Sequence, residues 1–186
     1  MMIDASLGRA SCCGFPQGIP QSFPPRPNPP VPLPQSEPDM IQIRLTTAQT
    51  ALANGAAIPL TGTVRQSGNG LHFDPANRAV QVTESGVYLF QWHVLVQSDA
   101  AAPVIALQSL DGQTVLGYSG VPAGTAASGV PVSGTAAAAL PAGTAWVLVN
   151  ATGDTVDIPV AGTAPAAFAA SLTVTEIGGR PFPDFR

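Results

Sequence analysis

The sequence predicts an all-β fold, a two-sheet antiparallel jelly roll of about ten strands behind an extended proline-rich arm, and three observations carry this. From Met40 onward, short β-branched and aromatic runs alternate with Gly, Pro, Asn, Asp and Ser, the punctuation of antiparallel strands and tight turns. Helical periodicity is nowhere sustained. Ten of the twenty prolines fall between Pro16 and Pro38, where fixed φ and missing N–H groups favour an extended chain over a packed one.

These signals divide the 186 residues into an arm at 1–39, a head at 40–178 and a short tail at 179–186. Within the head, strands are predicted at 40–46, 57–65, 70–73, 78–83, 87–97, 103–110, 114–118, 127–139, 143–150, 155–160 and 167–177. Each is a run rich in Val, Ile, Leu, Thr or aromatics, bounded by turn formers. The run Thr135–Leu140, TAAAAL, has the composition of a helix, but Gly134 and Pro141 close it to fewer than two turns, so it too is predicted as strand.

The most informative strand is GVYLFQWHVLV at 86–96. One face carries Tyr88, Phe90, Trp92, Val94 and Val96; the other carries Val87, Leu89, Gln91, His93 and Leu95. Neither is plainly a water face, so burial on both sides is predicted. A sandwich covers an inner strand on one side only, so a second copy of the protein is expected over the other. At the last strand, Phe168, Ala170, Leu172 and Val174 alternate with Ala167, Ala169, Ser171 and Thr173, small neutral residues that permit close approach. Core or interface roles are therefore assigned to Val87, Tyr88, Leu89, Phe90, Trp92, His93, Leu95, Phe168 and Leu172.

Composition narrows the function. Only 10% of residues are charged, against roughly 25% in ordinary soluble domains. There is no Lys, the net charge is −4 and no basic cluster exists to neutralise phosphates, so nucleic acid is not an expected partner. No stretch approaches the ~20 apolar residues of a membrane helix, so no membrane insertion is expected. Few surface charges leave little repulsion between copies, which favours self-association. No Gly-x-Ser-x-Gly elbow occurs and His72 and His93 are the only histidines, so no enzyme is predicted. Asp154 and Asp157 lack the alternating acidic pattern of a calcium loop and are read as turn formers. No metal or cofactor is expected.

The segment LHFDPANRAVQVTESGVYLFQWHV, residues 71–94, resembles the trimeric jelly-roll heads of complement-type globular domains and tumour-necrosis-factor-like proteins. Phe73, Asp74, Gly86, Tyr88, Phe90 and His93 fit that family's pattern in order. The resemblance implies a homotrimer. The Ala- and Thr-rich character and the ending ASLTVTEIG are closer to the heads of bacterial exosporium collagen-like glycoproteins of the BclA type. Those proteins carry a collagen stalk, and this chain has no Gly-x-y repeat. The resemblance then implies a variant, an endospore appendage fibre in which trimers stack through their N-terminal arms on the spore surface, outside the cell, with a spore-surface anchor protein as a further partner. The alternative it implies is a displayed trimeric head, of a spore coat or a phage fibre, that binds a glycan or receptor.

The arm suits such a link. A polyproline II form loses little entropy on docking, and at ~3.1 Å per residue Pro16–Pro38 spans roughly 70 Å. Phe15, Ile19, Phe23, Val31 and Leu33 interrupt the prolines as candidate anchors for apolar grooves. The segment PPRPNPPVP also has the PxxP spacing of an SH3 ligand. Cys12 and Cys13 are the only cysteines and are adjacent. Bridging neighbours closes a strained ring, so on oxidation they are expected to pair with other chains.

Overall fold

The computed structural model describes residues 37–98, 102–124, 126, 129–162 and 168–178, all within the unit Gln35–Arg186. The arm residues Cys12, Cys13, Phe15, Ile19, Phe23, Val31 and Leu33, and the tail, lie outside the described residues.

Among the described residues the chain forms twelve strands and no helix. They are β1 (Met40–Leu45), β2 (Gln49–Leu52), β3 (Gly62–Ser67), β4 (Leu71–Asp74), β5 (Ala79–Val82), β6 (Gly86–Val96), β7 (Val104–Ser109), β8 (Val115–Gly120), β9 (Val130–Leu140), β10 (Thr144–Asn150), β11 (Val156–Ile158) and β12 (Ala170–Gly178). One sheet runs β3-β1-β12-β6-β9, a second runs β4-β5-β10-β7-β8, and β11 pairs with β2 alone. Every pairing is antiparallel. Chain neighbours such as β5 and β6 lie in different sheets, the crossing pattern of a jelly roll.

The core fills the space between the two large sheets. From the first come Ile41, Ile43 and Leu45 of β1, Tyr88, Phe90, Trp92, Val94 and Val96 of β6, and Leu172 and Val174 of β12. From the second come Leu71, Phe73, Val80, Val82, Ile105, Leu107, Trp146 and Leu148. Phe90 and Trp146 meet edge-to-face across the gap, ring centres 6.2 Å apart at 61°, a favoured aromatic geometry.

Most predicted strands form near their expected bounds, and TAAAAL lies in β9 as predicted. Two segments differ. In place of a strand at 57–65, β3 begins only at Gly62. Pro59 lacks an N–H and interrupts the ladder. Ile58 and Leu60 are nonetheless buried, because Ala57 bridges Val149 and the Ile58 N–H donates to the Leu148 carbonyl at 2.8 Å, adding this stretch beside β10. The second is β2, QTAL, which has no strand signature. It exists because Leu52 pairs with Val156 and Gln49 with Ile158, and because the Ala51 N–H, on a residue with φ +52°, donates to Asp157 Oδ1 at 2.7 Å.

Candidate functional site: the outer face of the first sheet

Register places the outward side chains of the first sheet in rows. Arg44, Ser171, His93 and Ser133 lie side by side across β1, β12, β6 and β9. The next row is Arg65, Gln42, Thr173, Gln91 and Thr135. Beyond it come Met40, Thr175, Leu89 and Ala137, then Val87 beside Ala139. On the opposite side of the polar rows, Leu95 sits beside Pro131. The face is thus a polar band flanked by apolar ends.

Its side chains are mostly uncharged, and many are short: Ser, Thr and Ala. Across these rows Arg44 and Arg65 are the cations and no carboxylate appears. His93 Nδ1 lies 2.8 Å from Ser133 Oγ, which ties two neighbouring strands. Ser171 is buried to 7% exposure between Arg44 and His93. Burying such a surface desolvates few charges, and the entropy cost of ordering side chains falls mainly on Arg44, Arg65, Gln42, Gln91 and Met40. Strands of six to eleven residues at ~3.3 Å rise and ~4.8 Å spacing give a face of roughly 700 Å², close to the ~800 Å² that each partner contributes to a standard specific interface.

In the single chain one face of β6 is packed and the other is open, the face on which a second copy is expected. Tyr88, Phe90, Trp92, Val94 and Val96 are fully buried, whereas Val87, Leu89 and Leu95 are half-buried and Gln91 and His93 exposed. Among the described residues a covering layer lies over only one face of the sheet. Of the residues assigned core or interface roles, Tyr88, Phe90, Trp92 and Leu172 are core, and Val87, Leu89, His93 and Leu95 line the open face. Phe168 belongs to neither: it is half-buried and bridged to Ala161 before β12 begins. Gln91, Ser171 and Thr173 lie on the face that alternation assigns them, whereas nothing in the sequence marks Arg44, Ser133 and Thr135 as their neighbours. The alternation of β9, VPVSGTAAAAL, held the signal for its share, since Val132 and Leu140 are buried while Ser133, Thr135, Ala137 and Ala139 are exposed.

The second sheet has a different outer surface. Ala79, Ala106, Val147 and Val149 form a buried patch there, and Tyr118, paired with Ala106, stands 65% exposed beside it. The carboxylates of Asp154 and Asp157 are engaged by backbone, Asp154 Oδ1 accepting from the Thr155 N–H and Asp157 Oδ1 from that of Ala51, both at 2.7 Å. Among the described residues no helix is long and apolar enough to cross a membrane.

Comparison with known proteins identifies the fold. No family model matches the chain, and no curated protein matches it significantly. Solved structures do. The tumour-necrosis-factor protein Eiger from S. frugiperda superposes with a TM-score of 0.55 at 16% identity, covering 81% of this chain and 99% of that one. Murine APRIL at pH 8.0 gives 0.54 at 13%, covering 76% and 100%. The globular domain of zebrafish complement 1qA gives 0.50 at 11%, covering 75% and 95%. The head is an all-β jelly roll of the tumour-necrosis-factor and complement type.

Proposed function

We propose that this protein is the structural subunit of a self-assembling filament on the endospore surface. Three heads pack through the outer face of the first sheet, and the arms at 1–39 dock on the next trimer along the axis. The observation that carries the reading is that open face, with its half-buried Val87, Leu89 and Leu95, short neutral neighbours and no carboxylate in its rows. A likeness of fold to tumour-necrosis-factor and complement heads supports the threefold arrangement. The proline-rich arm supplies the axial link: repeated head-to-tail docking is heterologous and open-ended, so it grows a fibre. Phe15, Ile19, Phe23, Val31 and Leu33 anchor it, and Cys12 and Cys13 crosslink neighbouring trimers once oxidised. A spore-surface anchor protein holds the filament base.

A second reading, a displayed trimeric head that binds a glycan or receptor, is favoured by exposed Tyr118 beside the apolar patch on the second sheet. Removing residues 1–38 separates the two. Negative-stain microscopy of the intact chain should show filaments and the truncated chain should give soluble trimers by light scattering. The double variant Cys12→Ser, Cys13→Ser should form filaments that dissolve in denaturant without reductant. Intact protein that never forms filaments, yet retains ligand binding when truncated, overturns the filament in favour of the display head.

A further inference from the structure

The sequence holds two Asn-Gly pairs in the head, Asn54-Gly55 and Asn69-Gly70. Asn-Gly is where a backbone nitrogen reaches the preceding side-chain amide with least hindrance, because Gly carries no Cβ. The two pairs are chemically alike and both asparagines are exposed, but the fold treats them differently.

Asn54-Gly55 is held at both reacting groups. Asn54 Oδ1 accepts from the Gly153 N–H at 2.8 Å, and the Gly55 N–H donates to the Asn150 carbonyl at 2.7 Å. Asn150 is itself fully buried, its Nδ2 donating to the carbonyls of Leu52 and Asp154 and its Oδ1 accepting from the Thr152 N–H. The clamp on Gly55 is therefore anchored in the packed part of the head.

Asn69-Gly70 sits in the turn that carries the chain from β3 in the first sheet to β4 in the second, with neither reacting group held. Thr83 contacts this pair through its backbone carbonyls: its Oγ1 donates to the Asn69 carbonyl at 2.7 Å and its N–H to the Gly70 carbonyl at 2.9 Å. Among the described residues, neither the Asn69 carboxamide nor the Gly70 N–H makes a hydrogen bond. The Asp39 carboxylate occupies the space where Cβ atoms on Gly68 and Gly70 would stand, so a side chain at either position would have to displace it.

We infer that Asn69 is a site of self-modification by deamidation, selected over Asn54 by the hydrogen bonding of the fold. The Gly70 nitrogen bonds to Asn69 Cγ, the Cγ–Nδ2 bond breaks, and the amide nitrogen leaves as ammonia with the proton given up by Gly70. Water then opens the cyclic imide at either carbonyl, leaving aspartate or isoaspartate. Either product sets a new anion between Gly68 and Gly70, the two glycines that pack on the carboxyl of Asp39, which is only 8% exposed, and neighbouring like charges oppose one another. Isoaspartate also lengthens the backbone of the turn. The modification therefore loosens β3, an edge strand exposed along almost its whole length, at the point where Ser67 Oγ donates to the Pro38 carbonyl.

The test is peptide mapping by mass spectrometry of the full chain, incubated in mildly alkaline buffer with reductant, both folded and in denaturant. In the folded protein Asn69 should convert faster than Asn54 by roughly ten- to thirtyfold, the factor expected when two hydrogen bonds of typical net strength must open first. In denaturant the two should convert at similar rates, and Asn69→Gln should remove the product at that turn while leaving the slow Asn54 reaction unchanged. Equal rates in the folded protein, or a folded Asn69 that keeps its amide while denatured Asn69 loses it, would overturn the assignment.

Discussion

Trp92 shows how much one residue dictates to its neighbours. Its indole is fully buried and Nε1 donates to Ser119 Oγ at 2.7 Å, tying the first sheet to β8 of the second. The ring lies across two glycines on two edge strands, Gly134 of β9 and Gly117 of β8. A Cβ on Gly134 would run into the indole itself, whereas one on Gly117 would stand 3.3 Å from Cη2. Glycine inside a strand ordinarily weakens it; here it makes room for the tryptophan. Gly134→Ala should therefore destabilise the head by about 1–3 kcal/mol through overpacking, read as a lower denaturant midpoint with an unchanged slope. Gly117→Ala should shift the midpoint far less. An Ala at 134 that left the midpoint unmoved would show that the indole is not seated there.

At the scale of elements, burial decides strands and side-chain hydrogen bonds decide turns. Between β7 and β8, Ser109 Oγ donates to Asp111 Oδ1 at 2.5 Å and the Gln113 N–H donates to the same oxygen at 3.0 Å. These donors hold the Asp111 carboxyl below its ordinary 3.8, the Ser109 hydroxyl contributing most. In the turn after β4, the Asn77 side chain, then its backbone N–H, lowers Asp74 in the same way. A carboxyl whose folded value is depressed stabilises the fold above its unfolded value, and that contribution disappears as pH falls through the folded value. Both turns should thus stay closed through neutral pH and loosen only below 3.8. The Gln113 and Asn77 amide resonances should titrate with midpoints under that value; midpoints at or above it contradict the hydrogen-bond assignments. Alternation in β6, β9 and β12 was legible in sequence because apolar side chains facing the second sheet recur every other residue. The strand β2 was not legible, since its pairing with β11 rests on Asp157, more than a hundred positions away.

For the whole molecule, what matters is the layer that one chain leaves open. Leu89 points out of the first sheet, half-buried beside Thr175 and Ala137. Leu89→Asp should leave the lone head's stability within roughly 0.5 kcal/mol, as for most surface substitutions. In an assembled trimer the same carboxylate would be trapped without a partner, at a penalty of several kcal/mol. Light scattering should then report monomers for Leu89→Asp where the parent chain is trimeric, with near-identical thermal unfolding of the separated heads. A variant that stays trimeric would move the interface off this face.

The sequence alone determined the all-β class, the jelly roll and the inward face of β6, because hydrophobic period and turn chemistry are local properties that survive without knowledge of neighbours. It did not determine which outward residues share a surface. Arg44, Ser171, His93 and Ser133 come from four strands scattered from position 44 to 133 and 171, and only antiparallel register sets them in one row. Likewise the hydrogen bonds that clamp the reacting groups of Asn54-Gly55, and those that reach only the carbonyls of Asn69-Gly70, are long-range consequences of folding. A dipeptide's composition is written in the chain, but its surroundings are made by the packing of segments far apart in sequence.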